Sequence, residues 1–378
     1  MTEPPSDIAL SVVIPVKGNA HTLAKTVASL LDQDLDQPFE VIVVVDAQDA
    51  ARRALEPLAH DPRVRVLTPP PFPVPGARDA NWRRAIGLLA ARGRILALTD
   101  ADMVFEPDWA RTALDLFEET TADCVAGVME AMPGTGFWGR YTDVTALGAK
   151  TPRFRHSQWL SLDTLGRRNF KPPVTANLLL RREVVERVLP RTDITYSYED
   201  YAFAQDLVDA GYSILCTDRV TGRHHHRHDV RSLVREYVTA GRGCGQFVRA
   251  YPSRRLAIRR LEHLATVLVI PIALILGLLQ LAPATLVAMG AVLASVEVAS
   301  LIRSRHLEGV VHAPITLALG IVFSLGFARE LVFGGPVKIA IDAEFPRRVF
   351  QSNDRTVVVD LRDQSHDAAP EAAQLGVS

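Results

Sequence analysis

The sequence predicts an α/β protein, a mostly parallel, helix-covered sheet followed by a C-terminal α-helical membrane region. Three observations carry this expectation. Short β-branched runs alternate with amphipathic helical stretches over the first half of the chain. One run, Ile95–Thr99, ends in Asp100-Ala101-Asp102, two carboxylates at i, i+2 that an extended backbone turns to the same side. The C-terminal third then becomes strongly apolar, with no Asp, Glu, Lys or Arg from Leu264 to Ala282, a length that can span a bilayer.

Leu10–Val16 is apolar and β-branched, with Pro15 near its end, and predicts the first buried strand. Lys17-Gly18-Asn19 reads as a turn, and Asn19 can cap a helix whose apolar face is Leu23, Val27, Leu30 and Leu31. Phe39–Val45 is the second strand and closes on Asp46; Ala50–Ala59 follows as a helix and Val64–Leu67 as the third strand. The proline-rich Pro69–Pro75 leads through Gly76-Ala77-Arg78 to a helix carrying Trp82, Ile86 and Leu89, with Gly93 as its C-cap. Beyond the Asp100 strand, Trp109–Glu119 has helical spacing behind Pro107, and Cys124–Met129 is a strand. Gly134–Arg168 shows no assignable period. Val174–Leu180 then reads as a strand, Glu183–Leu189 as a helix, Tyr198–Ala210 as a helix stopped by Gly211, and Tyr212–Cys216 as a short strand.

At the C-terminal end of a parallel strand, Asp100 and Asp102 would face the ligand crevice of an open sheet. Two hard oxygen donors there suit Mg²⁺ or Mn²⁺, although Asp is also common at solvated strand-to-turn junctions. Glu199 and Asp200 open a helix, where the dipole alone favours acids. Arg223-His224-His225-His226-Arg227-His228 reads equally as a solvated basic loop or, with carboxylates nearby, as a source of ligands. Lys and Arg number 42 against 43 Asp and Glu, a balance that does not mark a nucleic-acid binder. Cys124, Cys216 and Cys244 are far apart and form no disulfide or zinc spacing, as expected of a reduced cytosolic domain. Without a basic stretch before Ile8–Val16, a cleaved signal peptide is not expected.

Four regions follow: a catalytic domain over 1–230, a basic amphipathic interface segment over 231–262, transmembrane helices over 263–335 and a polar tail over 336–378. The arginines of Arg231–Arg260 precede the uncharged span, as expected of a membrane surface with its basic side in the cytoplasm. Ala284–Ile302 is a second span broken by Glu297, and Ala313–Ala328 a short third. The count, two or three, stays open, and with it the side of the tail.

Residues Ser11 to about His228 resemble family 2 glycosyltransferases, nucleotide-sugar enzymes of the GT-A fold, a Rossmann-like sheet. The resemblance rests on Val13-Ile14-Pro15-Val16 with Asn19, Val43-Val44-Val45-Asp46, Gly76-Ala77-Arg78 with Asn81, Asp100-Ala101-Asp102, Thr175-Ala176-Asn177 with Arg181-Arg182, Glu199-Asp200 and the histidines at 224–226, in the expected order. It implies a donor site at Pro15, Val16, Asn19, Asp46, Arg78, Asp100 and Ala101, with Asp46 reading the base. It further implies Mn²⁺ or Mg²⁺ on Asp100 and Asp102, completed by His224 or His226, with Asn177 toward the acceptor. Of the acids opening the later helix, Asp200 is the expected catalytic base and Glu199 its rival. Family members often carry Asp-Asp where this chain has Asp46-Ala47, and the Gln-x-x-Arg-Trp motif of processive members is absent, which implies transfer of a single sugar.

The expected protein is thus a multi-pass membrane enzyme with a cytoplasmic catalytic domain. It would invert the configuration of a sugar moved from a nucleotide-sugar to a lipid, polyprenyl-linked or glycan hydroxyl, with no nucleic-acid partner. Two other classes compete: a nucleotidyltransferase, for which Lys17-Gly18-Asn19 is a slight phosphate loop, and a membrane scaffold or transporter subunit with a degenerate nucleotide-sugar-binding domain.

Overall fold

The computed structural model describes residues 7–18, 20–58, 60–69, 72, 79–144, 156–162, 164–165, 173–226, 229–261, 309–335 and 356–358. Asn19, Arg78, His228 and the expected spans Leu264–Ala282 and Ala284–Ile302 lie outside these residues.

Strands β1 (Leu10–Val16), β2 (Phe39–Val45), β3 (Val64–Thr68) and β4 (Ile95–Thr99) form the parallel half of one sheet. Helix α1 (Ala20–Leu31) joins β1 to β2, and α2 (Ala80–Ala90) precedes β4. Every residue of β2 is buried because helices cover both faces, so the strand is continuously apolar rather than alternating. Each such Val or Ile contributes about 1.5–3 kcal/mol of burial. Alternation sorts the β1 side chains: Val12, Ile14 and Val16 join one core with α1 and α3 (Trp109–Glu119), and Val13 joins another with α2 and α6 (Glu199–Asp209).

Beyond β4 the sheet is mixed rather than mostly parallel. Strand β8 (Asn177–Arg181) lies between β4 and β6 (Cys124–Ala131) and is antiparallel to both. Strand β9 (Ile214–His224) is parallel to β6 and carries β5 (Met103–Phe105) and β7 (Gln158–Leu160) antiparallel on it. At the other edge β10 (Thr356–Val358) adds to β3, so part of the expected polar tail is a strand. The full order is β10-β3-β2-β1-β4-β8-β6-β9-β5.

Several boundaries differ from expectation. Ala50–Leu55 is a 3₁₀ helix capped by Asp49, whose carboxylate accepts from the Ala51 amide. Helix α2 ends at Ala90, and Gly93 is no left-handed cap: its amide donates to Ser11 Oγ at 2.7 Å, tying the β4 entry to β1. The 134–168 region holds α4 (Phe137–Val144) and β7, and the expected helix after β8 shortens to α5 (Arg182–Val185). The histidine run is no loop at its start, since β9 extends through His224.

The C-terminal layer is a helix pair. Helix α7 (Val230–Ala250) starts at Asp229, which accepts from the Ser232 amide, and packs along α8 (Gly309–Phe333). Glu330 of α8 is buried against Arg242 and Arg249 of α7, at 3.1 and 3.0 Å. Among the described residues one stretch, Pro314–Phe333, is long and apolar enough to cross a membrane, and 35% of its most apolar window is buried in the fold.

Candidate active site

The C-terminal ends of β1, β2 and β4, with the start of α6, converge on a cluster of acids threaded by two buried arginines. Arg83 and Arg84 are neighbours on α2 and only 2% and 4% exposed. Such burial of a guanidinium requires paired charges. Arg84 Nη2 donates to Asp100 Oδ1 at 2.8 Å, and its Nη1 donates to Asn81 Oδ1 at 3.0 Å and lies 3.6 Å from Glu199 Oε1. Burial opposes the charged Arg84, yet Asp100, Asp200 and Glu199 together raise its pKa. Burial also pushes the Asp100 carboxyl up, as do the charges of Asp102 and Asp200, against the lowering pull of Arg84.

Asp102 stands where β4 turns into β5, and β5 pairs with β9 so that Met103 faces His224. The His225 amide donates to the Asp102 carbonyl at 2.9 Å. This pairing brings His224 Nε2 to 3.3 Å from Asp102 Oδ1, and His224 Nδ1 to 3.0 Å from His226 Nδ1. His226 is buried behind His224.

On the β2 side, Arg83 Nη2 bonds both Asp46 Oδ2 (2.8 Å) and Asp79 Oδ2 (2.7 Å), and Lys17 Nζ reaches Asp79 Oδ1 at 3.3 Å. Burial works against an ionised Asp79, but Arg83 and Lys17 hold its pKa below the usual carboxylate value. Asp46 keeps 45% of its side chain exposed at the crevice.

Glu199 and Asp200 open α6 as the motif predicts, but they face different partners. Glu199 turns to Arg84, whereas Asp200 Oδ1 accepts from Thr175 Oγ1 at 2.5 Å. Asn177, expected toward the acceptor, lies in the core. It is wholly buried, donating to the Val128 and Val220 carbonyls and accepting from Trp109 Nε1, a joint between β6, β9 and α3. Val16 and Ala101 are also sealed in the core, at 0% and 2% exposure, so neither offers a donor a side-chain surface; Pro15 is half-buried.

Sequence reading missed Arg83, Arg84 and the hydroxyl of Thr175. The available signal was two arginines on the inward face of α2 beside Trp82 and Ile86, where a solvated helix would place apolar residues. A separate surface cavity of about 400 Å³ lies at the far ends of the strands, by Ala9, Arg94 and Arg181. It holds none of the cluster, and Arg181 and Arg182 there bond backbone carbonyls. All three cysteines are buried free thiols, and burial pushes Cys216 up to about 12, so none is a nucleophile at neutral pH.

A mixed α/β sheet with an acidic cluster at its strand ends is the arrangement expected of the GT-A fold. Residues 11–189 match the sequence model of glycosyl transferase family 2, so this stretch carries that family's domain. Glycosyltransferase AglE of Haloferax volcanii is 25% identical over 263 residues, covering 68% of this chain and 78% of its own. Succinoglycan biosynthesis protein ExoO of Rhizobium meliloti is 34% identical over 106 residues, which is 28% of this chain and 29% of that protein. Among solved structures, the mannosyltransferase PcManGT from Pyrobaculum calidifontis, in complex with GDP-Man and Mn²⁺, shares the fold. Its TM-score is 0.57 at 17% identity, over 88% of this chain and 91% of that one.

Proposed function

We propose that this glycosyltransferase moves one sugar, with inversion, from a nucleotide-sugar to a hydroxyl of a lipid, polyprenyl-linked or glycan acceptor. The carrying observation is that Arg84 bonds Asp100 of the Asp-x-Asp pair at 2.8 Å and lies 3.6 Å from Glu199, so the acids that open α6 adjoin the pair at the strand end. Asp102 and His224, 3.3 Å apart beside Asp100, fit Mn²⁺ or Mg²⁺, an oxygen and imidazole set for a borderline or hard ion. Among the described residues no three such side chains form a group that could hold the ion by themselves. When bound, such an ion neutralises the charge developing on the departing diphosphate. The Mn²⁺ and GDP-Man held by PcManGT agree with this reading.

The protein residues then divide the remaining work. Asp200 accepts the proton of the acceptor hydroxyl as that oxygen attacks C1, and the C1–phosphate oxygen bond breaks on the opposite face. Thr175 holds one Asp200 oxygen, so the other is turned to the proton. Arg84 acts on both acids, so the preference for Asp200 rests on its bond from Thr175. Asp46, held in place by Arg83, offers an acceptor to a base N–H.

The catalytic domain is tethered on the cytoplasmic face. Support comes from α8, from the uncharged Leu264–Ala282 and from the exposed Val230, Arg231, Val234 and Arg235 of α7. Full-length chain in detergent should release UDP from UDP-sugars, or GDP from GDP-sugars, only with Mn²⁺ or Mg²⁺. It should also stay in the membrane fraction through carbonate washing. Metal-independent turnover would remove the metal from the scheme, and carbonate extraction would remove the membrane spans.

A further inference from the structure

The family match ends at residue 189, short of the acid pair, and the segment that leads into Glu199 and Asp200 packs on chain beyond it. Tyr198, the residue before the pair, has φ 79° and is the one non-glycine with a left-handed backbone among the described residues. That conformation is costly for a residue with a Cβ and persists only where its surroundings impose it. Those surroundings are the C-terminal helix pair.

The Tyr198 ring lies 6.1 Å from Phe247 of α7 and 6.3 Å from Phe323 of α8, with the Arg260 guanidinium 5.3 Å from its centre. One turn earlier in the loop, the Thr195 amide donates to Gln246 Oε1 at 2.9 Å and Gln246 Nε2 donates to Thr195 Oγ1 at 3.2 Å; both residues are buried. At Gly243 the helix and loop touch so closely that a Cβ would overlap the Ser197 carbonyl. The far end of α7 grips the same catalytic helix, where Tyr251 Oη donates to Asp206 Oδ1 at 2.6 Å.

We propose that α7 and α8 set the backbone of the segment bearing Glu199 and Asp200, with Gln246 and Gly243 as the positioning residues. The inference rests on the reading of Asp200 as base, but it concerns different side chains, none of which belongs to the donor or metal set. Gln246 acts by fixing the amide and the hydroxyl of Thr195. Gly243 acts by admitting the Ser197 carbonyl against the helix, and the aromatic contacts then leave Tyr198 one available backbone conformation. Since α7 and α8 flank the proposed membrane segment, the base is aligned by the same helices that seat the enzyme.

The test compares full-length wild type with Gln246→Met, which keeps shape and loses both bonds, and Gln246→Glu, which keeps an acceptor for the Thr195 amide. Gly243→Ala is the steric counterpart. Readouts are Mn²⁺-dependent UDP and GDP affinity, turnover of UDP- and GDP-sugars, and hydrogen exchange of the peptide over 192–201. Gln246→Met and Gly243→Ala should lower kcat by about 10- to 100-fold with nucleotide affinity and donor KM within about threefold, since a small misplacement of a reacting group costs that much. Exchange over 192–201 should quicken while α1 is unchanged, and Gln246→Glu should recover most of the rate. Unchanged kcat with unchanged exchange in folded Gln246→Met would overturn the proposal, and so would joint loss of affinity and turnover. An inactive Asp200→Asn beside a normal Gln246→Met would sink the positioning role alone; a fully active Asp200→Asn would sink the base assignment instead. Should no tested sugar turn over, the exchange comparison decides the positioning role by itself.

Discussion

Arg84 Nη2 lies 2.8 Å from Asp100 Oδ1, a guanidinium almost fully buried against a carboxylate of the Asp-x-Asp pair. Its charge acts on three acids, Asp100, Asp200 and Glu199. Arg84→Met should therefore cost about 2–4 kcal/mol of stability, because it leaves buried negative charge uncompensated. A divalent ion can replace the missing charge, so the rise in melting temperature with Mn²⁺ should be larger in Arg84→Met than in wild type. Arg84→Lys should fall between the two, since an ammonium cannot bond Asn81 and Asp100 with one planar fork. Thermal unfolding with and without Mn²⁺ checks this, and equal metal-induced shifts in all three proteins would contradict it.

Asp102 Oδ1 and His224 Nε2 lie 3.3 Å apart. Asp102→Ala should abolish Mn²⁺-dependent nucleotide binding while leaving the circular dichroism spectrum intact. His224→Ala should weaken Mn²⁺ binding about 10- to 100-fold, as expected for loss of one imidazole at a site otherwise made of oxygens. Calorimetric titration of Mn²⁺ into each variant in the presence of UDP or GDP measures both effects.

Thr175 and Arg84 separate the two acids of α6. Adjacent helical residues point about 100° apart, so one of them meets the acceptor well. Asp200→Asn should cut turnover by about 10²–10⁴-fold with nucleotide affinity kept, because shape is preserved and basicity lost. Glu199→Gln should cost less than about tenfold in turnover. Single-turnover rates together with separately measured donor affinity distinguish the roles, and a reversed ranking would exchange them.

Asp206 supplies a pH prediction away from the metal ligands. Burial raises its pKa to about 6, against the lowering effect of the Tyr251 hydrogen bond. Between about pH 4 and 6 the folded chain thus holds a proton that the unfolded chain has released. Its contribution to stability is largest below about pH 4, falls as pH rises to about 6, and is level above. The full loss is about 2–3 kcal/mol, since each tenfold difference in proton affinity between the folded and unfolded chain is worth about 1.4 kcal/mol. Asp206→Asn still accepts the Tyr251 hydroxyl, so it should be more stable than wild type at about pH 7.5 and equal to it at about pH 4. Urea midpoints at the two pH values check the sign.

The parallel half of the sheet is legible in the chain because β1, β2 and β4 are continuous apolar runs joined by helical periods, a pattern with one common solution. The direction of β8 is not legible. Asn177–Arg181 reads as a strand, but its neighbours decide which way it runs. His224 looks like loop because its partner, β5, is only three residues long. Asp100, Asp102, Glu199 and Asp200 stand out as motifs, whereas Arg84 breaks an apolar face and is explained only by acids distant in sequence. The complete burial of Asn177 is not legible either, since a polar residue beside a motif reads as surface.

The antiparallel seam between β4 and β8 pairs Thr99 with Asn177, one residue before Asp100 on one strand and two after Thr175 on the other. Alignment of Asp100 with Thr175, and through it with Asp200, is therefore inherited from hydrogen-bond register. Register moves in steps of about 3.3 Å, and each step turns every side chain to the opposite face. Substitutions among the seam leucines, Leu96, Leu98, Leu178 and Leu180, can then lower the fraction of correctly assembled molecules, but each assembled molecule keeps full activity. Damage there is all-or-none per molecule, which distinguishes it in a single-molecule or active-site titration from the graded detuning expected at a flexible loop.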